Sequence, residues 1–295
     1  MRAMFCSYLR GLFLCILVPA WGQQQRKEPA SQAELAGISA RGRALAEYDT
    51  AAWHATDAFL AVTTVQDHER APLYLARKDG NTWEVLFGKL NSPGDKFLIA
   101  FEAHQADSPA SFTVKRYEQA KEASGFYVFA AKALTLVRED FKGENRRYNK
   151  AVLPADAGKL YVYVYPARTD EKIWVLGGDM RYLVSADGAT ILDRHRMHNS
   201  ILEFRASSDG ADGIKGLIHS AFLDEVPEDT DVFLAMTFQP AVDHTVITKH
   251  FLYGIYPDGT AVFLMTMETF KKIPPSKIRI ESRAPPNASN LLLKS

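Results

Sequence analysis

Five of the eight histidines in this chain fall between positions 195 and 250: His195, His198, His219, His244 and His250. Imidazole is both a metal ligand and an acid–base group of the neutral pH range, so their placement decides what chemistry is open to the chain. His195 and His198 are three apart. On a strand an odd separation sends two side chains to opposite faces, so these two share an ion only across a bulge. Asp193 and His195 do share a face, and a solvated polar hairpin face is the expectation there. His219 is placed differently. Leu217 and Ile218 form a short apolar strand that delivers it to the strand end. Asp224, Glu225, Glu228, Asp229 and Asp231 follow, all between 224 and 231. Clustered like charges repel, so such a loop is either solvated or neutralised by a cation. The simpler expectation is a solvated acidic loop that caps the next segment through Thr230 or Asp231. A catalytic zinc needs three protein ligands and an open position for water. His219 and Asp231 supply two. His198, His244 or His250 would have to bring the third from another strand, converging on one point.

The stretch from 171 to 231 resembles the zinc motif of JAMM/MPN-type metalloproteases. In that family an H-[ST]-H-P segment is followed by S-x-x-D, often as P-S-x-T-D, and an upstream glutamate ahead of L-x-G acts as general base. Here His219-Ser220 matches the first part, and Pro227-Glu228-Asp229-Thr230-Asp231 is similar to the second. Glu171 stands ahead of Val175-Leu176-Gly177-Gly178. The resemblance implies His219 and Asp231 as zinc ligands and Glu171 as the base. The departures are substantial. Ala221 stands where the second histidine belongs, Phe222 replaces the following proline, and Glu228 replaces the serine. With only two ligands kept, the resemblance implies a degenerate centre that no longer hydrolyses peptides.

Other reactive spacings are absent: there is no G-x-S-x-G, no H-E-x-x-H and no Gly-rich phosphate or dinucleotide loop. Gly177-Gly178-Asp179 follows an apolar strand and leads into another, which makes it a turn. No cofactor is expected; zinc is the ion that the JAMM/MPN-like pattern implies. Tyr161, Tyr163 and Tyr165 line one face of a strand, with Val162 and Val164 on the other. Such a row is a candidate binding surface for a partner or carbohydrate, or else one side of a sheet packed under a helix. Asn287-Ala288-Ser289 is a formal glycosylation sequon.

The elements that must carry these groups read as an α+β fold. Ser31-x-x-Glu34 is a capping box opening a helix over about 31–62, with Leu35, Ile38, Leu45, Ala52 and Phe59 on one face. Trp53, near its end, is expected to be buried, with His54 at the surface. Three Asp-Gly pairs, at 79–80, 187–188 and 258–259, each sit between apolar runs and predict antiparallel hairpins. Further strands are expected at 97–101, 111–117 and 160–165, a second helix at 126–141, and strands or a short helix within 214–238. Residues 142–158 read as a linker. The expected organisation is a helix, antiparallel sheet and helix over 31–150, then a strand-rich half over 151–273 and a Pro-rich tail over 274–295 with an edge strand at 277–281.

Residues 1–22 have the layout of a secretory signal peptide: Arg2 and Arg10, a short apolar run at 11–18, Pro19, then Ala20-Trp21-Gly22, with cleavage expected before Gln23. The run is shorter than the roughly 20 residues a membrane span needs, so no span remains after cleavage. Residues 23–30 read as a flexible leader. Both cysteines, Cys6 and Cys15, go with the signal, which excludes thiol chemistry and disulfides from the mature chain. Of 295 residues, 35 are basic and 35 acidic. That balance argues against a nucleic-acid partner, which wants a basic surface. Apolar residues make up 47% of the chain, enough for a sizeable core. The sequence therefore reads as an exported, soluble, non-catalytic binding or interaction module. The alternative is an inactive relative of a metal-dependent hydrolase centred on His219 and Asp231.

Overall fold

The computed structural model describes residues 26, 28–205 and 214–274. The signal peptide expected at 1–22, the sequon and the edge strand expected at 277–281 lie outside the described residues. The architecture is α+β, a set of antiparallel-rich sheets held by helices.

The first helix, α1 (Gln32–Val62), is the spine. Ser31 caps it by accepting from the Glu34 backbone N–H at 3.2 Å, while the Glu34 carboxylate turns away to Arg26 at 2.6 and 2.7 Å. Its apolar stripe of Leu35, Ile38, Leu45, Ala52 and Phe59 is buried, as the spacing predicts. Trp53 corrects the expectation for it: it is 53% exposed and stacks on His54 at 4.9 Å. Ala52 and Ala55 take the inward positions, and residue 53 is rotated onto the outer face.

After the short α2 (Val65–Arg70) come β1 (Leu73–Asp79), β2 (Thr82–Leu90), β3 (Phe97–Gln105) and β4 (Phe112–Ala123), an antiparallel sheet in chain order. Then α3 (Phe126–Asp140) leads to β5 (Tyr148–Pro154), β6 (Leu160–Pro166), β7 (Ile173–Leu176), β8 (Met180–Val184), β9 (Ile191–Arg196) and β10 (Leu202–Arg205). The second sheet runs β5-β6-β8-β9, and β7 pairs with β10. The stretch read as a linker contains β5; only Ala151-Val152-Leu153 is buried within polar flanks, so its period was too short to read. The third sheet runs β11 (Leu217–Ser220), β12 (His244–Ile247), β13 (Phe251–Ile255) and β14 (Ala261–Thr266). In it β11 and β12 are parallel because α4 (Asp229–Thr237) is the crossover between them. The four-residue α5 (Met267–Phe270) closes the described chain.

Burial joins these layers. The tyrosine face of β6 packs with Leu45, Tyr48 and Phe59 of α1 and with Phe87 and Phe101 of the first sheet. The valine face, Val162 and Val164, packs with Val128, Leu134 and Val137 of α3. The first turns of α1 reach the third sheet, where Leu35 and Ile38 meet Val232, Val246 and Tyr253. The boundary expected at 150/151 thus falls inside β5, and buried clusters draw on both sides of it. Among the described residues no helix is long and apolar enough to cross a membrane.

Candidate metal centre

The site is assembled at the N-terminus of α4. Glu228 is the cap residue; its backbone N–H donates to Asp231 Oδ2 at 2.8 Å, and its carbonyl oxygen accepts from the Asp231 N–H at 3.1 Å. Acidic side chains in a first turn suit the positive end of the helix dipole. With Oδ2 spent on the cap, Asp231 Oδ1 faces two imidazoles: His198 Nε2 at 3.1 Å and His219 Nε2 at 3.3 Å.

Each histidine is held from behind. His219 sits on the buried face of β11, and His244 lies diagonally across on β12. His219 Nδ1 and His244 Nε2 share a hydrogen bond at 2.8 Å. His198 follows the end of β9, beside Asp179 at the matching end of β8. Its Nδ1 lies 3.0 Å from both Asp179 oxygens, and Thr230 donates its hydroxyl to Asp179 Oδ2 at 2.6 Å. Gly177 makes this approach feasible. Its φ is +89°, and a Cβ there would lie 2.0 Å from the Ser200 carbonyl oxygen. The expected Gly177-Gly178-Asp179 turn is present, but it also delivers a buried carboxylate that no local pattern marks out.

The ligand atoms of His198, His219 and Asp231 lie within 4.8 Å of one another, and all three residues are buried. His219 is 5% exposed, and its Nε2 makes no hydrogen bond. Burial opposes a charge on His198, but Asp179 and Asp231 on its two nitrogens outweigh it and hold the imidazole well above its ordinary pKa. Burial keeps His219 below its usual value against the pull of Asp231, and pushes His244 down to about 4. Burial would raise Asp231; the imidazoles of His219 and His198 outweigh it and hold the carboxylate low.

A second cluster stands beside the first. Tyr163, Arg181 and His195 are neighbours in register across β6, β8 and β9, and all three reach the start of α4. His195 Nε2 is 2.9 Å from both Glu228 oxygens and 3.8 Å from Asp224. Burial pushes Glu228 up to about 7 against the pull of His195. The wholly buried Asp229 accepts from Arg41 at 2.9–3.1 Å, from the Tyr163 hydroxyl at 2.8 Å and from Arg181. Glu225 binds the Thr248 hydroxyl at 2.7 Å and His250 at 2.8 Å. A cavity of about 800 Å³ opens over this cluster, lined in part by Ile38, Arg41, Arg181, His195, Asp224 and Glu228. A third group, Glu84, Glu102 and His104, lies on the first sheet.

The acidic loop is therefore not a solvated one. Glu228, Asp229 and Asp231 are buried because the first turn of α4 is wedged between α1 and the sheets, and each is matched by protein cations or imidazoles. His219 and Asp231 are brought together and His198 is the third member; His244 stands behind, and His250 is bound to Glu225 instead. His195 and His198 serve different clusters, yet neither lies on a solvated hairpin face. Glu171 is exposed in the turn before β7 and belongs to none of the clusters. The tyrosine row offers no binding surface: Tyr163 and Tyr165 are buried, their hydroxyls given to Asp229 and Asp49, and Tyr161 is half-buried. Asp179, Arg41 and Arg181 went unread, since each meets its partner only through long-range packing. No protein-family model, curated protein or solved structure matches the chain.

Proposed function

We propose that this is an exported metal-binding protein whose divalent ion, zinc by the chemistry of its ligands, is held by His198, His219 and Asp231. The observation that carries the reading is the His219 Nε2 atom, buried, without a hydrogen bond, and 3.3 Å from a carboxylate oxygen that also faces His198. A buried polar atom left unpaired costs about 1–3 kcal/mol, and an ion between the three ligands removes that cost. Zinc bonds of about 2.0–2.2 Å place tetrahedral ligands a little over 3 Å apart, in keeping with the 3.1 and 3.3 Å separations. Asp179 behind His198 and His244 behind His219 fit the outer partners that orient metal-bound imidazoles.

The role is non-catalytic. The ligands are buried, none lines the cavity, and Glu171 does not group with them. The reading keeps His219 and Asp231 of the JAMM/MPN-like pattern. It gives His198 the place of the missing second histidine, at Ala221. The ion joins three segments: the exit of β9, strand β11 and the start of α4.

Metal analysis of purified mature protein tests this. Wild-type protein is expected to hold one zinc per chain after dialysis. His219→Ala and His198→Ala are expected to hold none, and Asp179→Asn to bind about 10–100-fold more weakly. Wild-type protein that neither retains zinc nor takes it up on addition overturns the proposal.

A further inference from the structure

The cavity beside the cluster is lined by charges of both signs, Arg181 and the exposed Lys249 against Asp224. Arg181 and Arg41 both turn to a single carboxylate, Asp229, so this wall carries more positive charge than its partner neutralises. Arg41 gives two nitrogens to Asp229. Arg181 gives one, Nη1, and among the described residues no other acceptor is bonded to its guanidinium. A guanidinium edge left open in this way is suited to bidentate capture of a carboxylate.

The opposite charge is Asp224. Its side chain is 38% exposed, its nearest cation is His195 at 3.8 Å, and among the described residues no hydrogen bond to it is formed. The other acids of the cavity are spent. Glu34 is bonded through both oxygens to Arg26, Glu225 is tied to His250 and Thr248, and Glu228 is tied to His195. Ile38, Val226 and Ile247 give the same space an apolar stretch of wall, beside the polar Ser220, Thr248 and Lys249.

We infer that this cavity binds a short zwitterionic peptide with an apolar side chain, its terminal carboxylate on Arg181 and its terminal ammonium on Asp224. The volume of about 800 Å³ lies toward the upper end of the range for small-ligand sites, enough for two or three residues. His195, the register partner of Arg181 on the neighbouring strand, stands between the two charges. The apolar wall takes the side chain, and the bonded His195–Glu228 pair forms a polar floor. The site is independent of the ion, because no residue that would hold the metal lines the cavity.

Isothermal titration of the mature protein with leucyl-leucine, N-acetyl-leucyl-leucine and leucyl-leucinamide tests the assignment. The free dipeptide is expected to bind, and each blocked form to bind at least about tenfold more weakly, the loss of one charge-assisted contact. Asp224→Asn is expected to weaken the free dipeptide by a similar factor and to leave the acetylated form unchanged. No binding by leucyl-leucine, phenylalanyl-leucine or trialanine overturns the inference, as do blocked forms that bind as tightly as the free one. The same titrations on EDTA-treated protein separate the two proposals. Dipeptide binding without zinc supports this one alone, and zinc uptake without dipeptide binding supports only the other.

Discussion

His219 carries two kinds of information, and only one of them is local. Its place at the end of a short apolar strand, twelve residues before Asp231, is visible in the sequence. So is the need of a crowded acidic loop for counter-charge. The identity of that counter-charge is not. His198 and Asp179 stand at the paired ends of β9 and β8, and Arg41 comes from α1, far away along the chain. No periodicity joins these positions before the fold does. A buried carboxylate elsewhere gives a prediction that does not involve the metal. Burial would raise Glu102, but hydrogen bonds with Tyr117, Glu84 and Lys121 outweigh it and hold the carboxyl at about 2, against 4.5 unperturbed. A depressed carboxylate stabilises the fold fully above its unfolded pKa and loses that contribution as pH falls through the folded one. Stability is therefore expected to decline between about pH 4.5 and about pH 2. Acid titration followed by circular dichroism checks it, and Glu102→Gln should flatten the decline in that window.

At the scale of elements, the local signals read well and the packed ones poorly. The three Asp-Gly turns were legible because glycine alone adopts the left-handed backbone freely. Gly80, Gly188 and Gly259 have φ of +59°, +74° and +78°. The stripe on α1 was legible because its period repeats over 31 residues. Strand β5 was not, because its buried run is three residues long. Nor was the closest helix contact. Gly42 of α1 lets α4 approach so nearly that a Cβ there would lie 2.4 Å from the Val232 Cβ and 2.6 Å from the Asp229 carbonyl oxygen. In a helix interior alanine is otherwise favoured over glycine by about 1 kcal/mol. The clash is expected to win, because the obstacles are a backbone carbonyl and a branched carbon rather than a flexible chain end. Gly42→Ala should destabilise by about 1–3 kcal/mol in urea unfolding and shift the first turn of α4. A stabilised variant would show that the two helices are less tightly joined than the structure has them.

Over the whole molecule, α1 packs against all three of the four-stranded sheets. Its C-terminal half packs with the first two sheets and its N-terminal half with the third, while β6 is buried on both faces between α1 and α3. Composition and pattern were enough for the α+β class; the shared core was not readable, because it depends on how sheets meet. A core of this kind predicts one cooperative unfolding transition, rather than separate melting of 31–150 and 151–273. Calorimetry that resolves two transitions would contradict it. Saturating zinc should move the single transition upward, by about 2.7 kcal/mol at a hundredfold excess over Kd, with no effect on His219→Ala.

X-ray absorption at the zinc edge of the loaded protein tests the metal centre most directly. The spectrum is expected to show two imidazole nitrogens and carboxylate oxygen at about 2.0–2.2 Å, with no sulfur, and to be lost in His219→Ala. A shell of oxygens alone, or a spectrum that His219→Ala leaves unchanged, would place the ion elsewhere and contradict the centre at His198, His219 and Asp231.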